Sequence, residues 1–516
     1  MEEYTFWPFK IAKEIVKKFP NIKTHVIATG TSISGEPHIG NANDVIRGNF
    51  IEIALKNIGY DAKLVWIADD MDPLRSIPAG FPLELKEYLG IPVCYIPDIY
   101  GCHESFTRHF EDIFLKQLEK FFVKPEAFFG IEMYKNGMYN ETIKIALEKR
   151  MEIIEILNKY RTTKLEEDWY PIDIICPKCK KISNTKILSY DEKSLKARFV
   201  CEKAKKFLHK KYEVEGCGYE GEISVLNGNA KLTWRVEWPA RWSFLKVTCE
   251  PFGKEHAAAG GSWDSGKEIV KLFNWEVPFP VIYEHFLVNG AKMSKSRGNV
   301  ITLDDVLNFM LPEHLRYWMA QGRLTIAKDI RFSSLVPRIF DEFNFAERVY
   351  FGLESAGNKR KDNNLKNAYM LAVVNVENRK TFNVNFFKIV EIIENFGEEL
   401  LVKKLKELNY EFDEVRLNKI ITLIKNWMNN FYLKKEKFVV PEEYKQFIKE
   451  LINAIQTENN LEKKIFEIAK RSGNIKEFFK IVYRILLSKD GGPRLINYIK
   501  EVGKEKIIKK LIDSIS

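Results

Sequence analysis

Two short segments combine residue types that suit phosphate chemistry. The first, PHIGN at 37–41, follows an apolar run and precedes an amphipathic stretch. The start of a helix offers free N–H groups and positive potential to a phosphate, and His38 could donate a hydrogen bond there. Gly40 has no side chain, so a flat adenine could lie against the backbone. The alternative is that His38 only caps the helix.

The second segment is NGAKMSKSRGN at 289–299, about 250 residues further along the chain. Lys292 and Lys295 are three residues apart, so both can face one anion. Gly290 and Gly298 flank them and would act as hinges of a loop that closes on a substrate. An isolated pair of lysines at this spacing is usually a solvated basic turn. The methionine and two serines in this order, together with the PHIGN segment, favour a nucleotide-binding loop.

Cysteines suggest a metal site. Cys176 and Cys179 have the C-x2-C spacing of a zinc knuckle, and Cys217 lies in a second glycine-flanked turn. The fourth ligand would be Cys201, with His209 as the candidate replacement. A closed thiolate site of this kind holds a fold together and performs no chemistry. The alternative is four unrelated buried thiols.

A second group of metal-ligand types lies in PDIYGCHESFTRH at 97–109. Asp98, Cys102, His103 and His109 supply oxygen, sulfur and nitrogen donors that zinc accepts. From spacing alone, packing or capping of a helix start is the competing interpretation.

The elements that would position these residues begin with a strand–helix–strand unit. THVIATG reads as a buried strand, HIGNANDVIRGNFIEIALKNIG as a helix that ends at glycine, and DAKLVWIADD as a second strand. Such a unit is normally right-handed with parallel strands. Further strands are expected at LKVTCEPFG and FPVIYEHFLV. Residues after about 300 are expected to be almost entirely helical.

Composition limits the class of protein. A chain of 516 residues should form two to four domains. A net charge of +10 favours a polyanionic partner without requiring one. The charged N-terminus is unlike a signal peptide, and no apolar run reaches the length of a membrane span. We therefore expect a cytoplasmic protein without a membrane partner, whose seven cysteines do not form a disulfide framework.

The two phosphate-type segments resemble the ATP-binding motifs of class I aminoacyl-tRNA synthetases. This chain has Asn41 where the first motif of that class has histidine. The longer stretch KLTWRVEWPARWSFLKVTCEPFGKEHAAAGGSWDSGKEI, at 231–269, resembles the archaeal type of class I lysyl-tRNA synthetase, whose architecture is related to that of glutamyl-tRNA synthetase. The similarity runs from ATGTSISGEPHIGN through ADDMDPLRSIP to RILLSKDGGPRL near the C-terminus.

The resemblance implies two sets of binding residues. In GGSWDSG, the two glycines would allow close approach of the ATP ribose and Asp264 would accept from its hydroxyls, unless this carboxylate only caps a helix. ATP with Mg²⁺ would be bound by His38, Gly40, Asn41, Gly260, Gly261, Asp264, Lys292, Ser294 and Lys295. Lysine would contact Gly30, Ser32, Trp234, His256 and Tyr283.

A substrate ammonium group also needs a carboxylate. Asp69, Asp70 and Asp72 follow the second strand, on the side where ligands of open parallel sheets bind. We expect one of them, Asp70, to face the pocket or the tRNA end; turn and cap roles are the alternative. In addition, the donor set around Asp98 resembles a second structural zinc site of this family, so that one zinc ion is expected and two are possible.

The fold class implied is α/β, with a Rossmann-type parallel-sheet catalytic domain, a zinc-containing insertion and an all-α C-terminal anticodon-binding domain. The catalytic domain would comprise 1–90 and 231–300, and the insertion 91–230 would hold the tRNA acceptor end, with its zinc region at 171–226. A connecting helical segment at 301–355 would contact the tRNA stem, and 356–516 would read the anticodon. Trp427, Phe431 and Tyr432 could stack on anticodon bases, although helix cores are their more usual place.

The activity implied is a lysine–tRNA ligase that forms lysyl-adenylate from L-lysine and ATP and transfers the lysyl group to tRNA(Lys). His38, Lys292 and Lys295 would stabilise charge in the first step. The alternatives are a class I synthetase for glutamate, a nucleotidyltransferase that acts on a small metabolite, and a zinc-containing RNA-binding module without catalysis. An arginine that pairs with a side-chain carboxylate of the substrate would favour glutamate.

Overall fold

The computed structural model describes residues 6–32, 35–77, 80–208, 212–293, 299–375, 381–432, 438–487 and 489–515. The chain divides into two compact units. The first comprises Met1–Arg331 and Ser355–Val376, and the second comprises Phe332–Glu354 and Glu377–Ser516. Four residues with predicted roles lie outside the described residues: Ser294, Lys295, Gly298 and His209.

The first unit contains all the strands of the described residues. They are β1 Thr24–Thr31, β2 Asp61–Ala68, β3 Glu126–Phe129, β4 Ile172–Ile174, β5 Thr185–Asp191, β6 Lys196–Cys201, β7 Lys206–Leu208, β8 Tyr212–Val214, β9 Glu220–Ser224, β10 Ala230–Leu232, β11 Val247–Gly253, β12 Phe279–Tyr283, β13 Phe286–Val288, β14 Ala291–Lys292 and β15 Lys328–Ile330.

The helices of the first unit surround these strands, and short 3₁₀ turns lie at Leu83–Tyr88 and Val93–Tyr95. The α-helices are α1 Trp7–Lys18, α2 Ala42–Asn57, α3 Phe106–Lys120, α4 Gly130–Lys135, α5 Asn140–Glu148, α6 Arg150–Lys159, α7 Trp234–Phe244, α8 Ser262–Leu272, α9 Leu303–Leu307, α10 Pro312–Ala320 and α12 Lys359–Val373.

A five-stranded parallel sheet forms the centre of the first unit. Its strand order is β12-β11-β1-β2-β3, and β1 pairs with β2 in register from Thr24 opposite Asp61 to Thr31 opposite Ala68. All seven residues of β11 are buried, as expected for a strand covered on both faces. The predicted β1–α2–β2 unit and the completion of the sheet by β11 and β12 are confirmed.

The edge strand β3 differs from the sequence-based boundaries. Residues 91–230 were expected to form an insertion, yet Val65–Ala68 of β2 pair with Glu126–Phe129 of β3. Helix α3 is therefore the crossover between two strands of the central sheet. The segment outside that sheet begins after β3, with α4–α6 and the small antiparallel sheets of β4–β10.

The boundary after the sheet also differs. Residues 356–516 were expected to form one C-terminal domain, but α12 belongs to the first unit. The reason lies in Arg316 on α10, which is fully buried. Its guanidinium donates to the carbonyl oxygens of Leu371 at 2.7 Å and Ala372 at 3.2 Å, and so caps the end of α12.

Helices are the regular elements of the second unit among its described residues, as predicted. Trp427 is 4% exposed and its indole N–H donates to the carbonyl oxygen of Phe332 at 3.0 Å, so it packs in the core and is not available to stack on a base. The α-helices of the second unit are α11 Phe332–Tyr350, α13 Phe386–Phe396, α14 Leu401–Glu407, α15 Glu414–Phe431, α16 Glu442–Thr457, α17 Leu461–Arg471, α18 Ile475–Leu487, α19 Leu495–Val502 and α20 Lys504–Ile515, with a 3₁₀ turn at Glu398–Leu400.

Within the described ranges, none of the helices has the length and apolar character needed to cross a bilayer.

Candidate active site

A cavity of about 300 Å³ opens at the carboxyl ends of β1, β11 and β12. This is the edge of an open parallel sheet at which ligands bind. Its walls combine aromatic rings with several carboxylates and one guanidinium. The lining residues are Gly30, Thr31, Ser32, Gly40, Asn41, Asp44, Trp234, Trp238, Arg241, Glu250, Pro251, Phe252, Gly253, Glu255, His256 and Tyr283.

The PHIGN turn lies directly before α2. Asn41 is the N-cap residue, and its side-chain oxygen accepts from the backbone N–H of His38 at 3.0 Å. The N-cap position is therefore occupied by Asn41; the ring of His38 packs beside Gly40, where a Cβ would lie 2.8 Å from Cε1 of His38. The turn places Gly40 and Asn41 on the cavity wall.

The second motif lies against the first. The Cε atom of Met293 is 3.2 Å from the position that a Cβ on Gly40 would occupy. On the other side of the loop, the backbone N–H of Ile39 donates to the carbonyl oxygen of Ile301 at 2.9 Å. The residues on both sides of the undescribed segment 294–298 therefore contact the PHIGN turn.

Lys292 ends a short hairpin of β13 and β14. Its Nζ lies 3.3 Å from Nε2 of His285, and that nitrogen lies 3.1 Å from Oε2 of Glu255, which lines the cavity. Gly290, the expected hinge, occupies the hairpin turn with φ of 80°, and its N–H donates to Asp329 at 2.9 Å. The hairpin therefore anchors the base of the loop.

The five residues that the family resemblance assigned to lysine all line the cavity: Gly30, Ser32, Trp234, His256 and Tyr283. Trp234 begins α7 and stacks on Trp238 with ring centroids 5.5 Å apart. His256 shares a 2.9 Å hydrogen bond with Ser262, and burial lowers its pKa, which favours the neutral ring. The cavity thus offers an aromatic wall to an aliphatic stem.

Asp70 does not line this cavity. It is 3% exposed, and its Oδ1 accepts from the backbone N–H of Ile131 at 2.7 Å, in the first turn of α4. The capping alternative therefore applies to Asp70, and the expectation that it faces the lysine pocket is wrong. The physical reason is that the side chain turns towards the start of α4, where Oδ1 lies 2.6 Å from the position of a Cβ on Gly130.

Two buried carboxyl groups of the cavity were not identified from the sequence. Burial raises the pKa of Asp44 to about 8, although N–H groups of Gly30 and Val45 act in the opposite direction. Burial also raises the pKa of Glu250 to about 7, despite hydrogen bonds from the indoles of Trp238 and Trp242. The detectable signal was their place in the sequence, directly after the PHIGN turn and inside the β11 strand.

The GGSWDSG segment forms the start of α8. Gly260 has φ of 74°, and a Cβ on Gly261 would overlap the carbonyl oxygen of His256, so both positions favour glycine. Asp264 accepts from the N–H of Gly260 at 3.1 Å and pairs with Lys267 at 3.0 Å, and this lysine lowers its pKa. Asp264 therefore stabilises the turn before α8, and it remains half-buried beside the two glycines.

The four predicted cysteines come together in the segment after α6. The Sγ atoms of Cys176 and Cys217 are 3.6 Å apart, as are those of Cys179 and Cys201. Four thiolates around zinc at about 2.3 Å would be about 3.8 Å apart, whereas a disulfide would need about 2.05 Å. The sulfur positions therefore fit a tetrahedral zinc ion, with Cys201 as the fourth donor.

The donor set around Asp98 also forms a cluster. Cys102 Sγ lies 3.1 Å from Nδ1 of both His103 and His109, and all four ligand atoms lie within 4.8 Å of one another. Nε2 of His103 lies 3.2 Å from Asp112, which leaves Nδ1 free to bind a metal. Three backbone N–H groups hold the pKa of Asp98 at about 2, although burial acts to raise it. The donors fit a zinc ion of mixed ligands.

A parallel sheet in which a PHIGN turn meets Met293 of a KMSKS segment beside an aromatic, acidic cavity is the arrangement of a class I aminoacyl-tRNA synthetase. The sequence pattern of the family described as tRNA synthetases class I (K) matches residues 5–375. The chain belongs to this family and is an aminoacyl-tRNA synthetase.

Relatives extend this similarity over the whole chain. A lysine–tRNA ligase of Methanosphaera stadtmanae is 33% identical, with 98% of each chain covered. Proteins of the same name from Pyrococcus horikoshii and Thermococcus kodakarensis are 32% and 34% identical, and each alignment covers 98% of this chain and 99% of the relative.

Proposed function

We propose that this protein is a lysine–tRNA ligase. In the first step, a carboxylate oxygen of lysine attacks the α-phosphorus of Mg²⁺-bound ATP, and pyrophosphate leaves. In the second, a terminal ribose hydroxyl of tRNA(Lys) attacks the carbonyl carbon, and AMP leaves. The observation that carries the proposal is the contact of the two ATP motifs, Gly40 with Met293, beside the cavity that collects the lysine residues.

Charge stabilisation is the main task of the protein in the first step. His38 lies in the turn before α2, and Lys292 lies at the base of the loop that carries Lys295. These groups would hold the phosphates as charge shifts to the leaving pyrophosphate. The remaining ATP contacts are proposed at Gly40, Asn41, Gly260, Gly261, Asp264 and Ser294.

The charge of the cavity favours lysine over glutamate. Asp44, Glu250 and Glu255 line the cavity, and Arg241 is the guanidinium among its lining residues. Arg241 already pairs with Asp69 and Glu237, and these two carboxylates offset its charge, so the cavity has no excess positive charge to attract an anionic side chain. A cationic side chain is therefore the better substrate, with Glu250 and Asp44 in place of Asp70 as partners of its ammonium groups.

A small-metabolite nucleotidyltransferase would use the same ATP motifs. It would have no need of a second unit built of nine described helices, or of the segment between β3 and β11. We infer that the segment between β3 and β11 handles the acceptor end of tRNA and that the helical second unit reads the anticodon. We propose that the enzyme acts on tRNA in the cytoplasm, and tRNA is expected to be needed for lysine activation.

Both clusters of metal-ligand residues are proposed to hold structural zinc. Cys176, Cys179, Cys201 and Cys217 would bind one ion, and Asp98, Cys102, His103 and His109 the other. Zinc at these sites would stabilise the surrounding segments and take no part in the reaction.

The decisive experiment is pyrophosphate exchange with each amino acid in the presence of tRNA, followed by charging of tRNA with labelled lysine. Lysine should be the substrate that supports both reactions. Lys295→Ala should slow adenylate formation by ~10²–10³-fold with little change in lysine affinity. Lys10→Ala, an exposed lysine on α1, serves as the control. Exchange with glutamate alone would overturn the substrate, and near-normal turnover in Lys295→Ala would overturn the role of the loop.

A further inference from the structure

Arg241 is a buried cation in the wall of the cavity. It lies in the last turn of α7, is 3% exposed, and borders the cavity beside Gly30. A buried guanidinium is costly unless its hydrogens are bonded and its charge is offset. The contacts of its three nitrogens therefore indicate what it does.

Two of the three nitrogens are held by protein. Nε donates to the hydroxyl oxygen of Tyr139 at 2.8 Å. Nη2 pairs with Oδ1 of Asp69 and lies 3.2 Å from Oε1 of Glu237. The third nitrogen, Nη1, has no hydrogen-bond partner among the residues that the structure describes.

The position of Nη1 is set by a rigid network. Glu237 also pairs with Lys231 and accepts from the hydroxyl of Tyr134 at 3.0 Å, and Lys231 pairs with Asp72 at 3.1 Å. The side chains of Lys231, Glu237 and Arg241 are each at most 5% exposed. Such a fully bonded buried network holds the guanidinium plane in one orientation.

Nη1 is directed to the end of β1. A Cβ on Gly30 would lie 3.7 Å from Nη1, in ordinary van der Waals contact. Because Gly30 has no side chain, nothing of that residue covers the nitrogen on the cavity side. The absence of a Cβ at this position therefore leaves a fixed donor accessible to whatever lies against Gly30.

We propose that Nη1 of Arg241 donates a hydrogen bond to the α-carboxylate of the amino-acid substrate. The proposal rests on the proposed function, since it concerns the substrate of the same cavity. The cavity has carboxylates for ammonium groups in Asp44, Glu250 and Glu255, and Arg241 is the cationic donor among its lining residues. One carboxylate oxygen bound by Nη1 leaves the other free to attack ATP, so the contact also orients the nucleophile.

The test compares lysine with lysinol, which has an alcohol in place of the carboxylate. Affinities of the full-length protein are measured by calorimetry with tRNA present and ATP omitted, so that no reaction occurs. The wild type should bind lysine ~10–100-fold more tightly than lysinol, as expected for a hydrogen bond to a charged group. Arg241→Met should bind lysine about as weakly as lysinol, with lysinol affinity unchanged.

A second variant avoids damage to the buried network. Arg241→Met leaves Asp69 and Glu237 without their guanidinium partner and could impair folding. Gly30→Ala keeps the whole network and covers Nη1 with a methyl group, and should also lose most of the preference for lysine over lysinol. Arg198→Met, at an exposed arginine paired with Glu220, is the control for Arg241→Met, and Gly491→Ala, with open space around it, is the control for Gly30→Ala.

Two results would overturn the assignment. One is an undiminished preference for lysine over lysinol in both cavity variants. The other is an equal loss for both ligands, which would mean that the substitutions only deform the cavity. If the wild type binds glutamate and not lysine, the proposed function fails, and the same comparison between glutamate and its α-alcohol still tests Arg241.

Discussion

Glu250 and Asp44 make the charge of the cavity depend on pH. Burial raises their pKa values to about 7 and about 8, so that near neutral pH both are partly protonated before a substrate binds. An ammonium group nearby favours the ionised carboxylate and lowers these pKa values. Lysine binding should therefore release protons at pH 7, and its affinity should rise between pH 6 and pH 8.

Calorimetry of lysine binding in buffers of different ionisation enthalpy measures this release. At pH 7 we expect lysine binding to release between a fraction of a proton and about one proton per site. Fewer protons should be released at pH 9, where both carboxyl groups are already ionised. Glu250→Gln should reduce the release and weaken lysine binding by about tenfold or more. Proton release that is equal in the variant and the wild type would assign it to another group.

The residues of the cavity show what sequence can and cannot reveal. Family resemblance pointed to Trp234, His256 and Tyr283 because these residues lie in recognisable motifs, and all three line the cavity. It did not decide which acidic side chains turn inward: Asp70 follows the end of β2, whereas Glu250 lies in the middle of β11. Their orientation depends on the neighbouring strands and on the tryptophans of α7, and these contacts are formed only in the folded chain.

At the scale of elements, the PHIGN turn and Met293 of the KMSKS segment meet at Gly40. A methyl group there would lie 2.8 Å from the ring of His38 and 3.2 Å from Met293, both closer than normal packing permits. Gly40→Ala should therefore displace both motifs. We expect the rate of adenylate formation to fall by at least tenfold and the KM for ATP to rise, as measured by pyrophosphate exchange.

Gly491→Ala provides the comparison, because a Cβ at Gly491 meets no atom within 4 Å. Lysine affinity without ATP should change little in Gly40→Ala, because the substitution affects the nucleotide side of the cavity. If ATP-dependent steps proceed at the wild-type rate, then the two motifs do not have to meet at this glycine.

The metal clusters are predicted to be independent of each other. Purified protein should contain about two zinc ions per chain, measured by mass spectrometry. Cys201→Ser should lose one ion and Asp98→Ala the other, each with a lower melting temperature, because a structural site contributes directly to folding. Cys94→Ser, outside both clusters, and His209→Ala should retain both ions. Loss of zinc in His209→Ala would assign the fourth ligand to that histidine.

Long, regular elements were predictable, and short ones were not. The apolar run of β1, the periodic α2 and the Pro441 at the start of α16 each carry a local signal. By contrast, β3 has four residues and no buried position, so its sequence shows neither alternation nor an apolar run. The place of α12 depends on the buried guanidinium of Arg316, which no local pattern reveals.

At the scale of the whole molecule, the net charge of +10 fits a polyanionic partner. Lysine and arginine side chains that bind phosphates release counterions, so tRNA affinity should fall steeply with salt. Two such contacts already imply about a tenfold loss between about 50 and 200 mM salt. Lysine affinity should change much less, because its cavity is buried and poorly screened.

Filter binding of tRNA and calorimetry of lysine over the same salt series check this expectation. Each variant that removes one exposed lysine of the helical unit should reduce the slope of log tRNA affinity against log salt concentration by somewhat less than one unit. Salt-independent tRNA binding would indicate that recognition rests on bases and not on the phosphate backbone.

The order of the segments along the chain has a consequence for engineering. The polypeptide leaves the first unit after Arg331, returns at Ser355 and leaves again after Val376. A single stop codon or protease nick therefore cannot separate the two units cleanly. A stop before Phe332 removes α12 from Arg316, and a stop after Val376 leaves α11 without the helices that bury it. A chimaera that exchanges the second unit would need at least three junctions.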